Sequence, residues 1–305
     1  MSMPGHSREL PLPPLTTDET AAQGRLQADL LALAGDIGER NMALPRELER
    51  AALLIEQRLV ATGYKPLRRP YQIDGATCSN IEVTLPGRTD ELVVVGAHYD
   101  SARGSPGAND NGSGVVALLE LGRRLRGFQA DRGVALVFFV NEEPPYFNTD
   151  KMGSRVWAKE AHERGARITA ALSLETMGYY TDAHGSQQYP PPIGAFYPDQ
   201  GNFLGFVGNN GSMGLVRDTV RLFREVGTLP SDGAALPAFL PGVDWSDHAS
   251  FWPYGWSGVM VTDTAPFRYP HYHTGNDTPD KVDTASLARA VLGVEHVVRS
   301  LATTR

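Results

Sequence analysis

The 305-residue chain has a single cysteine, Cys78, so it forms no intrachain disulfide and offers no cluster of thiolates to a metal. Nowhere do eighteen or more apolar residues run together, which leaves no segment able to cross a bilayer as a helix. The opening stretch, MSMPGHSRELPLPPLTTDET, lacks the apolar core of an export signal. As it stands the chain is expected in the cytoplasm, or in the periplasm or medium if an export segment has been removed. Positive charge is scarce too: 28 Lys and Arg face 35 Asp and Glu, a net charge of −7. No basic stripe is available to neutralise phosphates, which argues against a nucleic-acid partner. No G-x-S-x-G elbow occurs either. Ser113, in Gly112-Ser113-Gly114, lacks that spacing and reads as a helix-start residue, so serine-hydrolase chemistry is set aside.

Hydrophobic residues make up 41% and charged residues 21%, the balance of a soluble globular protein with a substantial core. The first 18 residues, rich in Pro and polar side chains, read as an arm; residues 19–305 read as one domain, without repeats. Helices are expected from about Glu19 to Arg40 and from Pro45 to Gly63, where Leu48, Ala51, Ala52, Ile55 and Leu59 share a face. Others are expected over Gly114–Leu125, Ser154–His162, Met213–Val226 and Ser286–Leu301. Between them lie short runs that are apolar throughout: Ile81–Leu85, Leu92–Ala97, Val134–Val140, Ala170–Leu174 and Val259–Val261. Such runs suit strands buried on both faces. Their alternation with helices predicts an α/β three-layer sandwich around a mostly parallel, mixed sheet.

In sheets of this kind ligands gather at the carboxyl ends of the strands, so the residues just past each run are informative. Leu92–Ala97 is followed by His98, Val134–Val140 by Asn141, Glu142 and Glu143, and Ala170–Leu174 by Glu175. A glycine-rich loop, GANDNGSG, carries Asp110, and the last run leads to a loop holding His271, Tyr272 and His273. Singly, each has an ordinary structural reading, as a hydrogen-bonded histidine, a turn aspartate or a solvated acidic pair. Together they are imidazoles and carboxylates at positions a parallel sheet would gather, the nitrogen and oxygen donors that zinc accepts. Which of each acidic or histidine pair binds stays open on spacing alone.

These segments resemble the di-zinc aminopeptidases of the bacterial leucyl type, whose relatives include glutamate carboxypeptidases and glutaminyl cyclases. The resemblance runs in order through HYDS, GANDNGSG, NEE, SLETMGY, SDHASFW and YHTGND, roughly residues 80 to 285. It implies a zinc-exopeptidase fold with two zinc ions, or one in the alternative, acting on a peptide substrate. One ion would be held by His98, Asp110 and Glu175, the other by Asp110, Glu143 and His273. The resemblance makes Glu142 the general base that acts on a hydroxide bridging the metals. Tyr272 would stabilise the oxyanion, and Asp100 would orient the ligand imidazole from behind. Asp247 and His248 are expected beside the ligands without binding metal. Two departures stand out. Glu175 replaces the Asp that is frequent in the family, and the segment PPYFNTDKM after Glu143 is long.

The resemblance points to removal of an N-terminal residue. A hydrophobic preference is expected from the aromatic residues near the motifs, with Tyr146, Phe147, Tyr179, Trp245 and Phe251 as pocket walls. A single-zinc glutaminyl cyclase-like activity and a carboxypeptidase-like activity on the same fold are the alternatives. A non-enzymatic binding domain would most cheaply have lost Glu142 or a ligand, and neither is lost here.

Overall fold

A computed structural model describes residues 3–191 and 193–304; the first two residues of the expected arm and the last of the expected domain lie outside them. Thr16 starts the first helix, α1 (Thr17–Leu30), through a reciprocal cap. Its hydroxyl accepts from Glu19 N at 3.1 Å, and the Glu19 carboxylate accepts from Thr16 N at 2.7 Å. The expected single helix to Arg40 is not continuous: from Leu31 to Ile37 the turns widen, and Gly38, at φ 78°, ends them. Pro45 opens α2 (Pro45–Ala61), whose buried face is the expected Leu48, Ala51, Ala52, Ile55 and Leu59. The remaining helices are α3 (Gly114–Arg124), α4 (Gly153–Glu163), α5 (Met213–Val226) and α6 (Thr284–Ala302), each within two residues of its expected start. None of the described helices is long and apolar enough to cross a membrane.

The eight strands are β1 (Leu67–Ile73), β2 (Ala76–Leu85), β3 (Glu91–His98), β4 (Gly133–Phe139), β5 (Arg167–Glu175), β6 (Leu204–Asn209), β7 (Ser231–Leu236) and β8 (Gly258–Thr262). They form one sheet in the order β1-β2-β4-β3-β5-β8-β6-β7. The central run β4-β3-β5-β8 is parallel, β1 and β2 add antiparallel strands on one side, and β6 joins β8 antiparallel on the other. The last pair, β6 and β7, is parallel. Three strands, β1, β6 and β7, escape the sequence pattern. β1 sits at an edge with Arg68, Arg69 and Pro70, and β6 and β7 are short and interrupted by Gly205, Gly208 and Gly233.

Alternate side chains divide the packing. Val93, Val95, Leu136, Phe138, Leu172, Val259 and Phe206 face a large core shared with α1, α2, α3, α5 and α6. Val94, Ala135, Val137, Phe139 and Ala171 face the opposite layer, built from α4 and a 3-10 segment, Asp247–Tyr254. Trp157 and Phe251 fill that second core, 5.9 Å apart between ring centroids. The 3-10 segment reaches as far as the start of β8, where Trp252 Nε1 donates to Gly258 O at 3.2 Å; beyond it the same face of the sheet is covered by loops, and there a cavity forms.

This packing yields two predictions. A Cβ at Gly153 would meet the backbone oxygen of Val140 at 2.3 Å, so Gly153→Ala should cost about 1–3 kcal/mol in denaturant unfolding. His248 lies on the 3-10 segment, fully buried, and its Nε2 donates to Val243 O at 2.8 Å. Burial lowers its pKa from 6.5 to about 4. The unfolded chain therefore binds the extra proton between those values, and stability is lost as pH falls from 6.5 towards 4. About 3 kcal/mol is expected to go, and His248→Gln should flatten that limb of the stability–pH curve.

Candidate metal centre

Parallel pairing brings three strand ends side by side. His98 is the last residue of β3 and pairs in register with Phe139 of β4; Glu175 ends β5. After β4 the chain turns through Asn141, at φ 63°, which sets Glu142 and Glu143 over the sheet edge. After β5 it turns through Thr176, at φ 43°. His273 itself has φ 55°. Left-handed backbone is uncommon outside glycine and unfavourable for a β-branched residue such as Thr176, so surrounding bonds must hold these turns. Asp110 enters from the glycine-rich loop that precedes α3.

The five expected ligands converge. From His98 Nε2, Glu175 Oε2 is 3.3 Å away and Asp110 Oδ1 3.4 Å. From His273 Nε2, Asp110 Oδ2 is 2.9 Å away and Glu143 Oε2 3.2 Å. Asp110 thus turns one oxygen to each imidazole, and the groups divide into His98–Asp110–Glu175 and Asp110–Glu143–His273. Donors held about 2 Å from a tetrahedral ion stand roughly 3.3 Å apart, which is the spacing found. His98 Nε2 is fully buried and makes no hydrogen bond among the described residues despite its acidic neighbours; Glu143 Oε1 is likewise unpartnered. Both orphaned atoms fit a donor set that a divalent cation completes.

Electrostatics agree. Burial would hold His98 neutral, but Glu175, Glu142, Asp100 and Asp110 outweigh it and raise its pKa well above the usual value. Burial likewise opposes the charge on His273, and its bonds to Asp110 and Glu143 overcome this and lift it to about 10. Burial, with Asp110 close by, pushes Glu143 up to about 7. Burial also raises Glu142 well above the carboxylate range, with Glu175, Glu143 and Asp247 adding to it against the pull of His98. Two imidazoles cannot balance so many carboxylates in a dry site, and bound cations relieve that excess directly.

A network behind the ligands fixes their aim. Asp277 accepts from Asn109 N at 2.8 Å and from Asp110 N at 3.0 Å, and Tyr269 donates to it at 2.8 Å. Asn111 donates to Leu174 O at 2.8 Å and accepts from Thr176 N at 3.0 Å, tying the loop to the strained turn after β5. Ser246 donates to Glu175 Oε2 at 2.6 Å. Asp100 lies behind His98, whose Nδ1 is 3.2 Å from the Asp100 carbonyl and 3.5 Å from its carboxylate. That carboxylate chiefly holds the Glu142-Glu143 turn, accepting from both backbone N–H groups at 3.2 and 3.1 Å.

Sequence reasoning passed over several of these. Asp263, just past β8, accepts from Asn109 Nδ2 at 2.9 Å and Tyr179 N at 2.8 Å. The same strand-end test that found the ligands would have flagged it. Arg40 gave no signal. Fully buried, it donates to the carbonyls of Tyr99, Gly38, Pro106 and Gly107 and so pins the entry to the Asp110 loop.

The other expected residues scatter. Asp247 is fully buried beside the ligands, with neither oxygen hydrogen-bonded among the described residues and its pKa pushed up to about 7 by burial. His248 faces away, edge-on to Trp252. Tyr272 stacks on the His273 imidazole at 3.9 Å between centroids. A cavity of about 110 Å³ opens beside Glu175 and Tyr272, lined largely by apolar groups such as Phe203, Phe206, Val207, Met260 and Trp245. Of the five aromatic residues expected as its walls, Trp245 lines it. Phe251 belongs to the second core, Tyr179 packs on Tyr269, and Tyr146 and Phe147 lie on the turn beyond Glu143.

Comparison with known proteins places this geometry. The chain is 35% identical over 288 residues to the uncharacterized protein YfbL of Escherichia coli (strain K12), covering 92% of this chain and 88% of that one. It is 26% identical over 230 residues to a probable leucine aminopeptidase of Arthroderma otae, covering 70% of this chain and 56% of the relative, so it spans little more than half that protein. Among solved structures it superposes on BSAP, a zinc aminopeptidase from Bacillus subtilis, with a TM-score of 0.74 at 16% identity, covering 97% of both chains. A glutaminyl cyclase from Fimbriiglobus ruber shares the fold at a TM-score of 0.68 and 19% identity, over 96% of this chain and 97% of that one. Residues 80–298 match the profile of peptidase family M28, and with the donor cluster around Asp110 the chain belongs to that family of metal-dependent peptidases.

Proposed function

We propose that the chain is a zinc-dependent aminopeptidase that hydrolyses the N-terminal peptide bond of peptides, with a preference for a hydrophobic first residue. The observation that carries this reading is Asp110, whose two oxygens face two separate imidazoles, each joined by a further carboxylate. That arrangement suits two ions sharing one bridging ligand. Zinc fits its mixed nitrogen and oxygen donors. When bound, a metal pair supplies Lewis acidity, polarising the scissile carbonyl and making water a stronger acid.

The protein side of the chemistry falls to two residues. Glu142 belongs to neither triad; its carboxylate is buried, 3.7 Å from His98 Nε2, on a turn fixed by Asp100. A carboxylate whose proton affinity burial has raised is suited to take a proton from water and pass it to the leaving amine. Tyr272 lines the cavity beside Glu175, and burial together with Asp110, Glu143 and Glu142 raises its hydroxyl pKa strongly. It stays protonated and can donate to the developing oxyanion. The apolar cavity beside it supports the hydrophobic preference, and the leucine aminopeptidase names of the relatives point the same way.

A cyclase would need one triad, leaving the other without a task. A carboxypeptidase would need a cation for the terminal carboxylate, and no Lys or Arg lines the cavity among the described residues. Arg268, nearby, donates to Phe203 O and Gln187 Oε1 at 2.8 and 2.7 Å and is not part of the cavity wall.

Two measurements test the proposal. Glu142→Gln should keep its metal while kcat on leucyl-anilide falls at least about a hundredfold; unchanged turnover removes the general-base role. Elemental analysis of purified protein should give two zinc ions per chain, and His273→Ala should lose one. Chelation should abolish turnover and lower the melting temperature, because metal at a hundred times its Kd adds about 2.7 kcal/mol to folding. A chelated protein that still hydrolyses the anilide contradicts metal dependence.

A further inference from the structure

The cavity beside the metal centre has a second acidic end. Register across the sheet places Glu175 opposite Thr262, Thr262 opposite Gly205, and Gly205 opposite Asp232. These four residues form one row across β5, β8, β6 and β7, and all four line the cavity. Registered partners point to the same face of a sheet, and each strand step is about 4.8 Å, so Asp232 stands about 14 Å from Glu175 between Cα atoms. Gly205, without a side chain, leaves the middle of the row open. At that distance Asp232 lies outside the reach of the scissile bond; it lies where the far end of a bound side chain would be.

Among the described residues no Lys, Arg or His lines the cavity beside the Asp232 carboxylate. One oxygen accepts from Gly233 N at 2.8 Å, and no ion pair to it is formed among the described residues. Arg224, the basic group nearest in effect, approaches from the other face, where it donates to Ser231 and to the carbonyls of Pro4 and Gly5. The adjacent Gly233 confirms the sidedness: a Cβ there would meet Val220 and Val216 of α5, so its neighbour Asp232 points away from that helix. Other polar wall groups near it are engaged, with Tyr189 donating to Pro198 O and Gln187 bonded to Thr264 and Arg268. Burial raises the Asp232 pKa. Leaving a carboxylate without a partner among apolar walls is unfavourable, and a bound cation would remove that cost.

We propose that Asp232 makes the pocket selective for an N-terminal lysine or arginine, whose apolar stem lies along Phe203, Val207 and Met260 while its cationic end pairs with the carboxylate. This inference rests on the aminopeptidase reading and refines its hydrophobic preference: the stem supplies the apolar contact, and the charge at its tip supplies the selectivity.

The test compares lysyl- and norleucyl-anilides, which share a four-carbon stem and differ in the terminal ammonium. The zinc-loaded wild type should favour the lysyl substrate, and the lysyl-to-norleucyl ratio of kcat/KM should fall at least about tenfold in Asp232→Asn. Asp232→Lys should invert the charge preference and favour a glutamyl-anilide over the lysyl one. Thermal melts of both variants check that they fold. A ratio that Asp232→Asn leaves unchanged, with norleucyl turnover present, overturns the role of Asp232 while the aminopeptidase reading stands. If the wild type cleaves no anilide, that reading fails instead. The pocket is then judged by calorimetric binding of L-lysine hydroxamate against L-norleucine hydroxamate, where equal affinities in wild type and Asp232→Asn overturn the proposal and a tenfold loss for lysine alone supports it.

Discussion

The structure is organised around an excess of negative charge in a place water hardly reaches. Asp100, Asp110, Glu142, Glu143, Glu175 and Asp247 are all buried at one end of the sheet, facing the two imidazoles of His98 and His273. Burying carboxylates without compensation is among the most unfavourable arrangements a fold can contain. Three sources of compensation are visible: backbone N–H groups directed at Asp100 and Asp277, the imidazoles, and positions shaped for divalent cations. Asp110 has no freedom within this scheme, since each of its oxygens serves a different imidazole.

Holding that geometry requires backbone that would not adopt it alone. Asn141, Thr176 and His273 all occupy the left-handed region, and each adjoins or is a ligand-bearing position. The unfavourable turns are offset by a polar network in which every member has at least two tasks. Asn111 caps the start of α3 through Gly114 N and also holds Thr176 N, so the Asp110 loop and the Glu175 turn move as one piece. Asn109 links Asp263 to the backbone of Gly178, and Arg40 gathers the carbonyls that lead into the same loop. Loss of one such bond leaves a buried polar group unsatisfied, which is why a network of this kind keeps a single arrangement rather than several.

The same physics decides which features are legible in the sequence. A strand buried on both faces must be apolar throughout, so β3, β4 and β5 stand out as runs, and the polar residue that ends each run is visible by contrast. His98 and Glu175 were legible for that reason, whereas the choice of Glu143 over Glu142 came from the resemblance to the di-zinc aminopeptidases. β6 and β7 were not: with loops in place of a helix over one face, they need no continuous apolar run and tolerate Gly205, Gly208 and Asp232. Arg40 was illegible because its role is to bond backbone carbonyls far along the chain, which leaves no local pattern. Aromatic content misled for a related reason. Nearness in sequence to a motif does not distinguish a wall residue such as Trp245 from a core residue such as Phe251, since both follow the same strand-poor stretch and differ only in which layer they enter.

The sheet therefore has two functional halves with different constraints. Over β4, β3 and β5 the second layer is closed by α4 and the 3-10 segment, and the strand ends are committed to the donor cluster, where a shift of one residue would turn His98 and Glu175 to the wrong face. The 3-10 segment reaches the start of β8, but over β6 and β7 that layer is missing, and the chain instead lays loops across the face, leaving space beside Glu175. On the aminopeptidase proposal, a substrate at the donor cluster would have its reacting bond over the first half and its side chain over the second. On that reading the reaction would depend on the half that cannot vary without losing its donors, whereas the identity of the residue removed would depend on a half of short strands and loops. Selectivity set by Asp232, as proposed, would then be free to change without disturbing the chemistry, because the two are separated by three strand spacings of sheet.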